Sequence, residues 1–159
     1  MLNRIDSASR LISAPPGTIY RAFAEPGAME RWLPPSNMTG QMLRFDFRED
    51  GSYRMRLTYN DPQRGVGKTS EDADEVEVRL TGLAVGERIE QEVVFESDDP
   101  AFSGVMRMIW TFAPEGEATL VTVRAENVPP GISPKDHEVG LASSLENLAA
   151  FVEKCDGAV

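Results

Sequence analysis

Near the end of the chain, two alternating apolar segments are joined by a tight turn and followed by one long amphipathic helix. This arrangement limits what the protein can fold into more than any other. Met106, Met108, Trp110 and Phe112 alternate along the first segment, and Thr119-Leu-Val-Thr-Val-Arg-Ala125 forms the second. Period-two alternation is the mark of strands with one buried face. A two-residue turn at Glu115-Gly116 pairs Trp110 with Val121 and Met108 with Val123, keeping apolar opposite apolar. Beyond Asn127-Val-Pro-Pro-Gly-Ile132, Ser133 is a good N-cap, Pro134 takes the first helical position and Asp136 the positive first turn. Leu141, Leu145, Leu148 and Val152 then recur at helical spacing, flanked by Ala142, Ala149 and Phe151, until Gly157 stops the helix. A sheet that ends in one long helix grips an apolar space between the two. It is not a way to display a catalytic motif, and the sequence contains none.

The rest of the chain supplies the other strands. Ile5 to Ile12 alternate loosely, and Pro15-Pro16 ends that strand. Two stubby helices follow, Thr18 to Ala24 and Ala28 to Leu33, separated by Pro26-Gly27 and closed by Pro34-Pro35. In the next hairpin Leu43, Phe45 and Phe47 share one face, and Tyr53, Met55, Leu57 and Tyr59 share another. A three-residue loop at Glu49-Asp50-Gly51 pairs Phe47 with Tyr53, Phe45 with Met55 and Leu43 with Leu57, with Gly51 in the left-handed conformation. A two-residue loop would set Phe45 against Arg54. Arg44, Asp46, Arg48, Arg54 and Arg56 then fall on the outer face as cross-strand ion pairs. Val76, Val78 and Leu80 mark a fourth strand, and Ile89, Gln91, Val93 and Phe95 a fifth. Polar stretches from Asp61 to Asp74 and from Ser97 to Gly104 are expected to be loops.

Composition excludes several classes of function. A net charge of −10 opposes binding of nucleic acid phosphates and of anionic membranes. No segment approaches the roughly 20 apolar residues of a membrane helix, so membrane insertion is not expected. One histidine, one cysteine and the absence of HExxH or CxxC leave no metal site and imply no cofactor. The first residues lack a signal-peptide pattern, and a lone Cys155 makes no internal disulfide, so a reducing cytoplasm is the expected location. A length of 159 residues fits one domain, residues 1–159.

The order of these elements, and certain residues within them, resemble a known superfamily. Pro15-Pro16 with Ile19, Tyr20 and Phe23, then Trp32, and Asp46-Phe-Arg48 leading into Gly51 carry the first half of the likeness. Gly86-Glu87-Arg88-Ile89, Trp110-Thr-Phe112, and Asp136-His-Glu-Val-Gly140 through Ser144-Leu-Glu-Asn-Leu148 carry the second. The chain is similar to START-like (SRPBCC) helix-grip proteins, and within them to bacterial relatives of the activator of the heat-shock-protein-90 ATPase. The resemblance covers nearly the whole chain. It implies an α+β helix-grip fold: a curved seven-stranded antiparallel sheet wrapped around a long C-terminal helix, with two short helices after the first strand and a cavity inside. It does not imply one function, because members bind lipids or other apolar ligands, cyclise polyketides, or touch a chaperone. Tails in this family often carry Trp near the position of Leu141, where this chain's smaller side chain leaves more room.

Within such a fold, Trp32, Phe45, Tyr53, Met55, Leu57, Gln91, Val93, Met106, Met108 and Trp110 are expected to face Leu141, Leu145 and Leu148 of the helix and to line a site for a small hydrophobic molecule. The alternative is a filled core, since Met commonly fills irregular gaps. Gln91 interrupts an apolar stripe and must find a partner, a water or a ligand. His137, at a helix start, has no nucleophile or orienting carboxylate beside it in the sequence and reads as a surface or structural histidine. No catalytic residue is assigned. A non-catalytic carrier or sensor of an apolar ligand leads. A cyclase- or hydratase-like enzyme using Tyr53, Gln91 and Arg107, and a chaperone-activator-like interaction module with a protein partner or second copy of itself, are the alternatives.

Overall fold

The computed structural model describes residues 4–34, 38–59, 73–95 and 104–157. The two expected loops fall almost wholly outside these residues, and so do the side chains of Phe95 and Cys155. Strand β1 (Ile5–Ile12) is followed by helices α1 (Pro16–Ala24) and α2 (Pro26–Trp32). Then come β2 (Met38–Phe45), β3 (Ser52–Tyr59), β4 (Ala73–Ala84), β5 (Arg88–Phe95), β6 (Met106–Glu115), β7 (Ala118–Glu126) and the long α3 (Pro134–Gly157). The strands form one curled antiparallel sheet in the order β1-β7-β6-β5-β4-β3-β2, which is the expected helix-grip fold.

Each short helix begins at a proline, where the missing N–H costs nothing. Glu25, which precedes Pro26, is extended at φ −122° and ψ 124°, so α1 must stop and α2 must start again. The two remain joined because the Trp32 indole donates to the carbonyl of Ala22 at 2.9 Å. Phe23 of α1 meets Trp32, Trp110 and Phe112 edge-on, with centroids 4.9, 4.9 and 5.7 Å away. Helix α3 packs on β1, α1 and α2, and the buried side chains of sheet and helices form one continuous core.

Both hairpin registers differ from expectation. In β6 and β7, Trp110 lies opposite Val123 and Phe112 opposite Val121. The strands turn over Gly116 and Glu117, between the paired Glu115 and Ala118, and Gly116 takes φ 64° at the first loop position. The observed pairing is slipped by two residues, which leaves every side chain on its expected face. In β2 and β3, Phe45 lies opposite Tyr53 and Arg44 opposite Arg54, and a bulge between Met42 and Arg44 puts Met42 opposite Met55 and leaves Leu43 exposed. The connection runs longer than three residues because it docks on β4. Asp50 N–H donates to Leu80 O at 2.8 Å, and Leu80 N–H to Gly51 O at 2.9 Å. Asp50, not Gly51, adopts the left-handed conformation, at φ 64°. Gly51 is required for closeness instead, since a Cβ there would lie 2.3 Å from the carbonyl oxygen of Asp46.

Candidate functional site

Sheet register aligns the residues that face α3. Phe45, Tyr53, Val78, Val93 and Met106 are opposed in one row across β2 to β6. Leu80, Gln91, Met108, Ala125 and Asp6 are opposed in the next, across β4 to β1. Residues opposed in this way share a face of the sheet. A cavity of about 250 Å³ opens between this face and the N-terminal half of α3. Its wall is predominantly apolar: Leu57, Val76, Val78, Val93, Met106, Met108 and Trp110 from the sheet, and Phe23, Met29 and Leu33 from around the short helices. Helix α3 contributes His137, Gly140, Leu141 and Ser144, whose spacing of three, four and seven residues is one helical face.

Eight of the residues expected at the site meet in this wall: Tyr53, Leu57, Gln91, Val93, Met106, Met108, Trp110 and Leu141. Five do not. Trp32, Met55, Leu145 and Leu148 are sealed in the core, each at most 1% exposed, and Phe45 is partly buried against Phe47 and Tyr53. Leu145 and Leu148 follow Leu141 along the same stripe but do not line the cavity, whose last lining residue on α3 is Ser144. Phe23, Met29, Leu33, Val76, Val78, His137, Gly140 and Ser144 line the cavity without having been expected there.

Gln91 finds its partners within the protein. It is 3% exposed, and its Oε1 accepts from the Trp110 indole at 3.3 Å. Its amide also bonds the Tyr53 hydroxyl. Burial pushes the Tyr53 phenol well above its ordinary pKa, with the Gln91 bond pulling weakly the other way, so Tyr53 is neutral. Among the described residues no buried side-chain N or O atom lacks a partner.

The orienting carboxylate that His137 lacks in the sequence is supplied from the other end of the chain. Asp6 Oδ2 lies 2.7 Å from His137 Nδ1, and both side chains are nearly buried. Arg4 donates to the same carboxylate oxygen at 2.8 Å. These contacts, that of Arg4 first, outweigh desolvation and hold the Asp6 carboxyl below the usual range. Helix α3 is capped as expected, the Ser133 hydroxyl accepting from Asp136 N–H at 3.1 Å.

A larger groove of about 510 Å³ runs along the surface between α2, β2 and the end of α3, lined by Glu30, Arg31, Thr39 and Asn147 among others. It is open and half polar, and a concave apolar wall makes the smaller cavity the better ligand site. The outer sheet face carries the expected ions, in a different pairing: Arg54 bridges Glu75 and Glu77, Arg44 bonds Glu77, and Arg107 bonds Glu90 and Glu126. No group of side chains suited to a metal ion occurs among the described residues, and none of their helices is long and apolar enough to cross a membrane.

Among solved structures, protein CV1439 from Chromobacterium violaceum is 32% identical, with a TM-score of 0.82 over 94% of this chain and 96% of that one. NE0264 from Nitrosomonas europaea shares the fold at 17% identity, with a TM-score of 0.73 over 98% and 97%. DynU16, of the dynemicin biosynthetic locus, does so at 18% identity and a TM-score of 0.68, over 94% of this chain and 47% of DynU16. No curated protein matches the sequence. Residues 13–153 match the family described as Activator of Hsp90 ATPase homolog 1-like protein, and the chain belongs to that family.

Proposed function

We propose that the protein binds a small hydrophobic molecule between its sheet and the start of α3, as a carrier or sensor and not as a catalyst. The single observation that carries this is the 250 Å³ apolar cavity, whose deepest polar groups are already bonded to one another. A wall of this kind favours a predominantly apolar occupant, because a polar group placed against Tyr53, Gln91 and Trp110 would have to break their chain of bonds to gain partners. The cyclase-like alternative would use the same cavity, and the dynemicin-locus neighbour lends it a similar fold only. It requires several ionisable groups that converge on the ligand, whereas the described wall brings one, His137 with its Asp6 partner, beside a neutral Tyr53 and an occupied Gln91. Arg107 is engaged with Glu90 and Glu126 on the outer face. Docking of a chaperone or other protein calls for an apolar surface patch, whereas the outer strand faces carry paired ions.

Titration with N-phenyl-1-naphthylamine tests this function. Its fluorescence should rise on binding the folded protein and fall when long-chain alcohols or aromatic hydrocarbons are added. A silent probe with a folded protein would contradict the proposal.

A further inference from the structure

His137 stands in the cavity wall with one ring nitrogen committed and the other free. Nδ1 is held by Asp6, and an ionised carboxylate can only accept, so Nδ1 carries the hydrogen. In the neutral ring Nε2 then holds a lone pair. Nε2 has no hydrogen-bond partner among the described residues, yet no buried side-chain nitrogen is left unsatisfied. Nε2 therefore reaches open space. The ring lines the cavity, with Leu141 one turn further along the same helix.

Arg4 fixes the geometry from behind. Three contacts between its guanidinium and the Asp6 carboxylate, at 2.8, 3.3 and 3.4 Å, hold the carboxylate against the ring. A histidine pinned in this way keeps one tautomer and one orientation. The rest of the wall is apolar, or polar and paired, apart from the rotatable hydroxyl of Ser144 two turns along α3. The site thus has an apolar body and, in its wall near the start of the helix, one histidine whose Nε2 is accessible.

We propose that the ligand is an apolar, aromatic-sized molecule bearing one phenol-like hydroxyl, and that His137 Nε2 accepts the hydrogen bond from it. An acidic O–H is the donor best matched to an imidazole lone pair, and Phe23 and Trp110 give an aromatic ring its walls. This rests on the binding function proposed above and adds the polar end of the ligand to it.

Three probes of similar size separate the two ideas: 2-naphthol, 2-methoxynaphthalene and 2-methylnaphthalene, each titrated into the full chain. In the wild type 2-naphthol should bind roughly five- to tenfold tighter than the other two, the value of one net hydrogen bond. The His137→Phe variant should bind all three alike. The Ser144→Ala variant should keep the preference for 2-naphthol. Should none of the three bind, the cavity function itself fails. Equal binding of all three to the wild type would leave the cavity function standing and overturn the acceptor at His137. So would a naphthol preference that survives His137→Phe or disappears in Ser144→Ala. The wild-type comparison of naphthol with its methyl ether decides the matter even if His137→Phe does not fold.

Discussion

At the scale of single residues, Gln91 and Asp6 illustrate two limits on reading a sequence. Gln91 was recognisable because it breaks an apolar alternation, and the need for a partner followed from its burial. The identity of the partners did not follow, since Trp110 lies 19 positions away on the adjacent β6 and Tyr53 38 positions away on β3, two strands over. Gln91→Leu should leave the Trp110 indole and the Tyr53 hydroxyl buried and unpaired. Urea unfolding should show a loss of about 1–3 kcal/mol, the usual cost of orphaned buried polar groups. A neutral result would mean that water replaces the amide there.

Asp6 carried no local signal at all. Its partner His137 is 131 residues away, and the packing of α3 on β1 brings them together. Because the folded state lowers the pKa of Asp6, its contribution to stability is fully present above the unfolded carboxylate value of about 3.9. It is lost as pH falls through the lower, folded value. Asp6→Asn should therefore flatten the acid side of the stability profile and lower stability at neutral pH. Thermal melts of both proteins from neutral pH down to about pH 3, just below the unfolded carboxylate value, check the sign. An unchanged acid limb would place the contact outside the folding balance.

At the scale of elements, α3 was legible in position and stripe but not in where the stripe opens. Leu141, Leu145, Leu148 and Val152 all point inward, and each is at most 4% exposed. Periodicity reports the direction of a side chain, not whether atoms or empty space lie opposite it. His137 sits four residues before Leu141, on the same stripe, and that spacing was the available clue to its inward position. The β6–β7 register failed for a related reason, whereas in β2–β3 a bulge that alternation does not signal adds to the slip. Apolar-opposite-apolar scoring detects a one-residue slip, which reverses the faces, but is blind to a slip of two. Leu145→Ala, in the sealed part of the stripe, should cost about 2–5 kcal/mol. Leu141→Ala, which enlarges an existing cavity, should cost less. Chemical denaturation of the pair tests this ordering, and its reversal would mean that the cavity lies further along the helix.

At the scale of the whole molecule, the fold was the most legible feature, because the order of two short helices, six further strands and one long helix is hard to satisfy otherwise. The site was half legible: most of the sheet side of the wall and Leu141 followed from periodicity, while Val76, Val78 and the contribution of α1, α2 and the first turns of α3 depended on packing. The central claim is that the space between sheet and helix is a binding site and not a packing defect. Leu141→Trp tests it most directly, because the larger ring should fill the cavity from the helix side while the core beyond Leu145 is untouched. Val139→Trp, on the exposed face of the same helix, is the control. With N-phenyl-1-naphthylamine as probe, Leu141→Trp should lower affinity at least tenfold, about 1.4 kcal/mol of binding free energy, while Val139→Trp binds like the wild type. A folded Leu141→Trp protein that binds the probe as tightly as the wild type would contradict the account.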